Sequence, residues 1–226
     1  PEYNSYTFKV ITDYETESSL IFTSKFTFIK ENYSTYKLIQ YLGNDRDLVL
    51  PKTINGNRYE IDANVFNSTF NSFTMPYVKK ISSNAFGYYF NVKNFYFNGS
   101  VDEWCDIIFE NSSSNPAYKS TNEYYLNSLG EYELFVDIVL SEDVTYVRDY
   151  AFYKINSLKT ITCLADNVIF GDACDVYEIA IYAKNGVISI KNTANYYTSM
   201  VVSRDCVSLN NLSYYTEVIY YCGNEM

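Results

Sequence analysis

Apolar and polar positions alternate along this chain with a long period. Phe70, Phe73 and Met75 are spaced apolar-x-x-apolar-x-apolar, and adding 22 to each number gives Val92, Phe95 and Phe97. Phe135, Ile138 and Leu140 repeat the spacing, and adding 23 gives Leu158, Ile161 and Cys163. Each triplet predicts one short strand with its apolar residues facing inward. A second pattern follows each strand. Met75 leads through Val78 and Ile81 to Ala85-Phe86, and Leu140 leads through Val144 and Val147 to Ala151-Phe152. An earlier unit runs from Leu48-Val49-Leu50-Pro51 to Ile61 and Val65-Phe66, with a longer loop around Asn55-Gly56-Asn57. Ten residues after Cys163 come Ala173-Cys174, which places Cys174 in the slot of Phe86 and both cysteines in a buried core. One such unit cannot bury its own apolar face, so the period predicts stacked coils that share a core. Small Ala allows close approach between coils and Phe fills the space between them.

The strand triplet is the signature of a leucine-rich repeat. Leu48-Val49-Leu50-Pro51 with Ile61-Asp62-Ala63-Asn64-Val65-Phe66, and then Val78 to Phe86, resemble the repeat of the BspA-like surface proteins. Residues 36–56 are similar to that family's first strand. Tyr96-Phe97-Asn98-Gly99-Ser100-Val101-Asp102-Glu103-Trp104-Cys105, followed by Ser114-Asn115-Pro116, resembles its recurrent insertion. The match covers residues 36–174. It implies a mainly β, right-handed leucine-rich-repeat solenoid with short helical turns. It also implies a secreted or cell-surface location and a role in attachment to host or matrix proteins. Residues 175–215 fit the repeat poorly, and residues 1–35 match nothing in it. Alternation at Tyr6-Thr7-Phe8-Lys9-Val10 and Phe26-Thr27-Phe28 predicts that 1–35 is a β cap on a solenoid spanning 36–226. Tyr220 to Glu225 looks like a restart of the insertion, and the first residue is Pro1 rather than Met. Both predict a piece of a longer array.

The insertion, at about 99–133, should contain a helix over 101–109. Ser100 and Glu103 have capping-box spacing. Val101, Trp104, Cys105 and Ile108 would then share one face, with Trp104 as its core anchor.

Candidate chemistry is sparse. The chain has no histidine, which removes Ser-His-Asp and Cys-His catalysis and every His-containing zinc site. Five cysteines (105, 163, 174, 206 and 222) include no CxxC pair, and an odd count argues against a fully disulfide-stapled domain. Asp102-Glu103, Glu131/Glu133 and Glu142-Asp143 read as solvated carboxylates. Asn44-Asp45-Arg46-Asp47 and Asp166 to Asp175 lack the ligand order of a calcium loop, so turn chemistry accounts for them. No catalysis, cofactor or metal is expected. A net charge of −10 disfavours nucleic acid, and no apolar run is long enough to cross a bilayer. Five N-x-Ser/Thr sequons, at Asn32, Asn67, Asn98, Asn111 and Asn211, matter only in a glycosylating host.

The remaining candidate is surface. Residues between the inward triplets point outward and stack into columns. One column should hold Val49, Thr74, Tyr96, Val139 and Thr162; its neighbour should hold Asp47, Ser72, Asn94, Asp137 and Thr160. Ser72, Thr74, Asn94, Tyr96, Asp137, Thr160 and Thr162 are therefore the candidate binding residues, with Tyr96 and Asp137 in neighbouring columns on nearby coils. The same types are also ordinary exposed strand formers. The chain has 26 tyrosines, which give rigid amphipathic contact area or reflect base composition alone. Three readings stay open: a protein-binding or adhesion module, a passive spacer, and a carbohydrate-binding module of a larger surface protein.

Overall fold

The computed structural model describes residues 6–10, 18–165, 167–171, 180–183, 187–190, 199–203, 209–210 and 217–221. Strands β1 (Tyr6–Val10), β2 (Ser18–Phe22), β3 (Phe26–Lys30) and β4 (Tyr36–Tyr41) form an antiparallel meander. Phe26, Phe28, Tyr36 and Leu38 alternate inward and are buried. β4 is antiparallel to β3 on one side and parallel to the next coil on the other. The meander thus occupies the backbone edge that a bare first coil would expose.

Each following coil adds one strand to each of two faces. β5 (Asp47–Val49), β6 (Glu60–Ile61), β7 (Thr69–Pro76), β8 (Lys80–Ile81) and β9 (Asn91–Asn98) alternate between the faces. The 22-residue register holds: Phe70 pairs with Val92, Phe73 with Phe95 and Met75 with Phe97, all buried. The Ala-Phe wedge forms a ladder of its own. The Phe66 and Phe86 rings stack 5.7 Å apart at 15°, and Phe66 N–H donates to Ala85 O. The residue before each wedge has positive φ: Asn64 at 60°, Asn84 at 58° and Tyr150 at 62°. Asn tolerates this left-handed turn well, whereas Tyr does not, so of the three wedge turns the one at Tyr150 is the strained one. Asn55 and Gly56, both left-handed, close the longer loop as an Asn-Gly hairpin turn.

After β9 comes α1 (Val101–Asp106), which starts with the expected capping box between Ser100 and Glu103. The helix is shorter than the sequence implied. It stops at Asp106, and β10 (Ile108–Phe109) pairs in parallel with β8. Ile107 and Phe109 are buried while Ile108 is exposed, so strand alternation replaces the helical face proposed for Ile108. Pairing with Lys80 and Ile81 satisfies backbone groups that another helical turn would leave facing the sheet edge. Two 3-10 turns, Ser112–Ser114 and Pro116–Lys119, lead to β11 (Ser120–Leu126), which returns to the first face beside β9. The insertion is therefore a full coil with a helix added to it. β12 (Tyr132–Leu134) folds back antiparallel on β11 and ends the first five-stranded sheet, ordered β12-β11-β9-β7-β5.

A second stack begins with β13 (Asp137–Leu140), β14 (Tyr146–Val147), β15 (Thr160–Cys163) and β16 (Asn167–Phe170). It continues with β17 (Ala180–Ala183), β18 (Val187–Ile190), β19 (Ser199–Ser203), β20 (Leu209–Asn210) and β21 (Glu217–Tyr221). The 23-residue register holds, with Ile138 opposite Ile161 and Leu140 opposite Cys163. The region that fitted the repeat poorly also carries coils. Ile161 pairs with Ile181, Ile181 with Met200 and Met200 with Val218, so the step shortens to 20, 19 and 18. The chain is thus mostly strand, wound as a solenoid behind a β cap. Cys105 and Cys163 are buried, and burial pushes the Cys163 thiol up to about 12. Cys174 lies outside the described residues.

The insertion joins the two stacks. Trp104 is fully buried, and its Nε1 donates to Ala151 O at 2.8 Å. Asn115 Nδ2 donates to Tyr150 O and Ala151 O, Arg148 N–H to Cys105 O, and Ser141 N–H to Asp102 Oδ1. These bonds hold the strained turn at Tyr150.

Candidate binding face

The outward columns exist, and they split into two groups. On the first sheet Asp47, Ser72, Asn94 and Asn122 lie side by side. Ser72 Oγ donates to Asp47 Oδ1 at 2.7 Å, and Asn122 Nδ2 donates to Asn94 Oδ1 at 2.9 Å. The neighbouring column is Val49, Thr74, Tyr96 and Tyr124. On the second sheet Asp137 pairs with Thr160, whose Oγ1 donates to Asp137 Oδ1 at 2.6 Å. Val139 there pairs with Thr162.

Asp137 is not in a column beside Tyr96, because it opens a different sheet. Residues that sequence reasoning missed fill the place. Asn94-Phe95-Tyr96 reappears as Asn122-Glu123-Tyr124, 28 positions later rather than 22, with a glutamate in the inward slot of Phe95. The longer step and the broken apolar triplet hid this coil. The repeated outward Asn and Tyr were the available signal.

Three tyrosines form the centre of the face. Tyr96 and Tyr124 stack with ring centroids 4.8 Å apart at 16°. Tyr132, reaching over from β12, meets Tyr96 edge-on at 4.8 Å. Burial, with a smaller contribution from Tyr96, raises the Tyr132 phenol above its ordinary value. Such a cluster offers aromatic edges and phenolic groups beside a row of amides on a rigid sheet. Among the described residues, no group of three or more His, Cys, Asp or Glu side chains is placed to hold a metal ion.

The BspA type leucine rich repeat region, in six copies, matches residues 59–178 and 129–221. This chain belongs to the BspA-type leucine-rich repeat family. Its coils are the paired short strands and Ala-Phe wedges described above. A solved structure of a leucine rich cell surface protein from Faecalibacterium prausnitzii A2-165 is similar at 15% identity. That likeness covers 84% of this chain and 72% of the other, with a TM-score of 0.39. No match was found among curated proteins. Among the described residues of the BspA-type chain, no helix is long and apolar enough to cross a membrane.

Proposed function

We propose that this BspA-type chain is a non-catalytic protein-binding module of a cell-surface protein, and that its ligand face is the first sheet around Tyr96, Tyr124 and Tyr132. The stacked tyrosine cluster beside the Asn94–Asn122 amide pair carries this reading. Tyrosine is enriched at binding hot spots because it gives large contact area with few rotors and a polar tip. The parallel ladder beneath already satisfies the backbone and holds the rings in place. Surface location and attachment follow the family resemblance.

The test is surface plasmon resonance against immobilised fibronectin and other matrix proteins. Tyr96→Ala and Tyr124→Ala should each raise the dissociation constant at least about tenfold, equivalent to about 1.4 kcal/mol. Tyr88→Ala, at a residue 88% exposed outside these columns, should leave it unchanged. Asp137→Asn, on the other sheet, should also bind like wild type. Wild-type affinity in both tyrosine variants would remove this face as the site. Absence of binding to every matrix protein would favour a spacer.

A further inference from the structure

A cleft runs across the loops that follow the first-face strands, and none of Tyr96, Tyr124 and Tyr132 lines it. It has a volume of about 480 Å³ and is lined by Lys52, Arg58, Tyr77, Asn98, Glu103 and Ser128 among others. That size lies within the ordinary range of small-molecule sites, about 300–1,000 Å³. Its charge opposes that of the whole molecule. The chain carries −10, whereas this wall gathers two cations against one carboxylate. Glu103 is moreover committed to its own helix, with Oε2 accepting from Ser100 N–H at 3.0 Å.

Both cations lack an anionic partner among the described residues. The Lys52 side chain is exposed, without an ion pair or hydrogen bond there. The Arg58 guanidinium lies 3.9 Å from the Tyr77 ring centroid, and its Nη1 is buried with no acceptor. A planar guanidinium clamped on an aromatic face is pre-organised for a carboxylate, and an unmet buried donor favours whatever supplies an acceptor. Tyr77 is fixed in turn, since its hydroxyl donates to Asp106, which also accepts from Arg148.

The neutral part of the wall suits hydroxyl groups. Thr53, Asn98 and Ser128 have no side-chain hydrogen-bond partner among the described residues, and they offer both donors and acceptors. Leu126 is the one aliphatic side chain in the lining, which leaves little to receive the apolar residues of a peptide. Gly99 keeps the wall open: a Cβ there would meet Glu103 Oε2 and the Phe97 ring at 2.7 Å.

We infer that this cleft binds a carboxylate-bearing sugar, with the carboxylate held by Lys52 and Arg58 and the ring hydroxyls by Asn98 and Ser128. The site is separate from the tyrosine face, so each can fail without the other. Isothermal titration calorimetry on the whole chain tests it with three probes: D-glucuronate, D-glucose, and a Glu-Gly-Glu tripeptide. Glucuronate should bind, more weakly as salt is raised, and glucose and the tripeptide should not. Lys52→Gln should weaken glucuronate binding at least about tenfold, equivalent to about 1.4 kcal/mol. Arg58→Gln should weaken it by more. Lys52 is exposed, so that variant stays informative even if Arg58→Gln disturbs Tyr77. No glucuronate binding, equal binding of glucose, tighter binding of the tripeptide, or an unaffected Lys52→Gln would each overturn the inference.

Discussion

At the scale of single residues, the unusual position is Glu123. It occupies an inward slot filled by Phe73 and Phe95 in the two preceding coils, and it is 0% exposed. Ser120 Oγ donates to one carboxyl oxygen at 2.9 Å and Ser157 Oγ to the other at 2.7 Å. Burial raises its pKa above the usual carboxylate range, and the two hydroxyls only partly oppose this. The folded chain therefore holds this proton to higher pH than the unfolded chain does. By linkage, the site favours folding most below the unfolded value of about 4.3 and progressively less as pH rises through the folded value. Thermal melts from pH 4 upward should show wild type losing stability relative to Glu123→Gln, which cannot ionise. Parallel curves for the two proteins would contradict this account.

At the scale of elements, the wedge is the unit that makes one coil stick to the next. Phe86 sits 5.7 Å from Phe66, 5.9 Å from Phe73 and 4.5 Å from Phe90, so its ring touches its own coil and its neighbour. Phe152 is fully buried in the equivalent place. Phe86→Ala and Phe152→Ala should each cost about 3–5 kcal/mol in urea unfolding, the range for emptying a buried aromatic site. Tyr88→Ala, two residues outside the register, should stay within about 0.5 kcal/mol. Similar losses at all three positions would mean that the wedge has no special role. The wedge pattern was fully legible, because its spacing of three, four and one places every apolar residue inward. The end of α1 was not. Val101, Trp104, Cys105 and Ile108 satisfy a helical period, while Ile107 and Phe109 satisfy a strand period, and only the free edge of β8 decides between them.

At the scale of the whole molecule, the insertion holds two stacks together. β12 ends the first sheet by turning antiparallel, and β13 starts another. The Trp104 ring packs against Phe95, Phe97 and Phe109 before that break and against Phe135 after β12, and its Nε1 reaches Ala151 O across it. Trp104→Phe keeps a ring but removes the Nε1 donor, which leaves that carbonyl with Asn115 Nδ2. It should destabilise the chain by about 1–3 kcal/mol. Because the lost bond spans the break, the variant should also unfold in two steps when hydrogen exchange is read separately on the two stacks. A single cooperative transition of unchanged midpoint would show that the break is held by other contacts.

By itself, the sequence determined the repeat, the strand registers at 22 and 23 residues, the wedge, the capping box and the burial of Trp104 and Cys163. These follow from local spacing, because each coil must present the same inward residues to its neighbours. Tertiary structure alone decided which outward residues meet. The 28-residue step places Tyr124 on Tyr96, the β12 turn adds Tyr132, and the break carries Asp137 to another sheet. It also decided that Lys52 and Arg58 from one coil, Tyr77 from the next and Asn98 from the third share one cleft. The physical reason is the same in each case. Inward positions obey a period because they share one core, whereas loops and sheet breaks obey none, so their neighbours depend on how many residues each coil spends outside its strands.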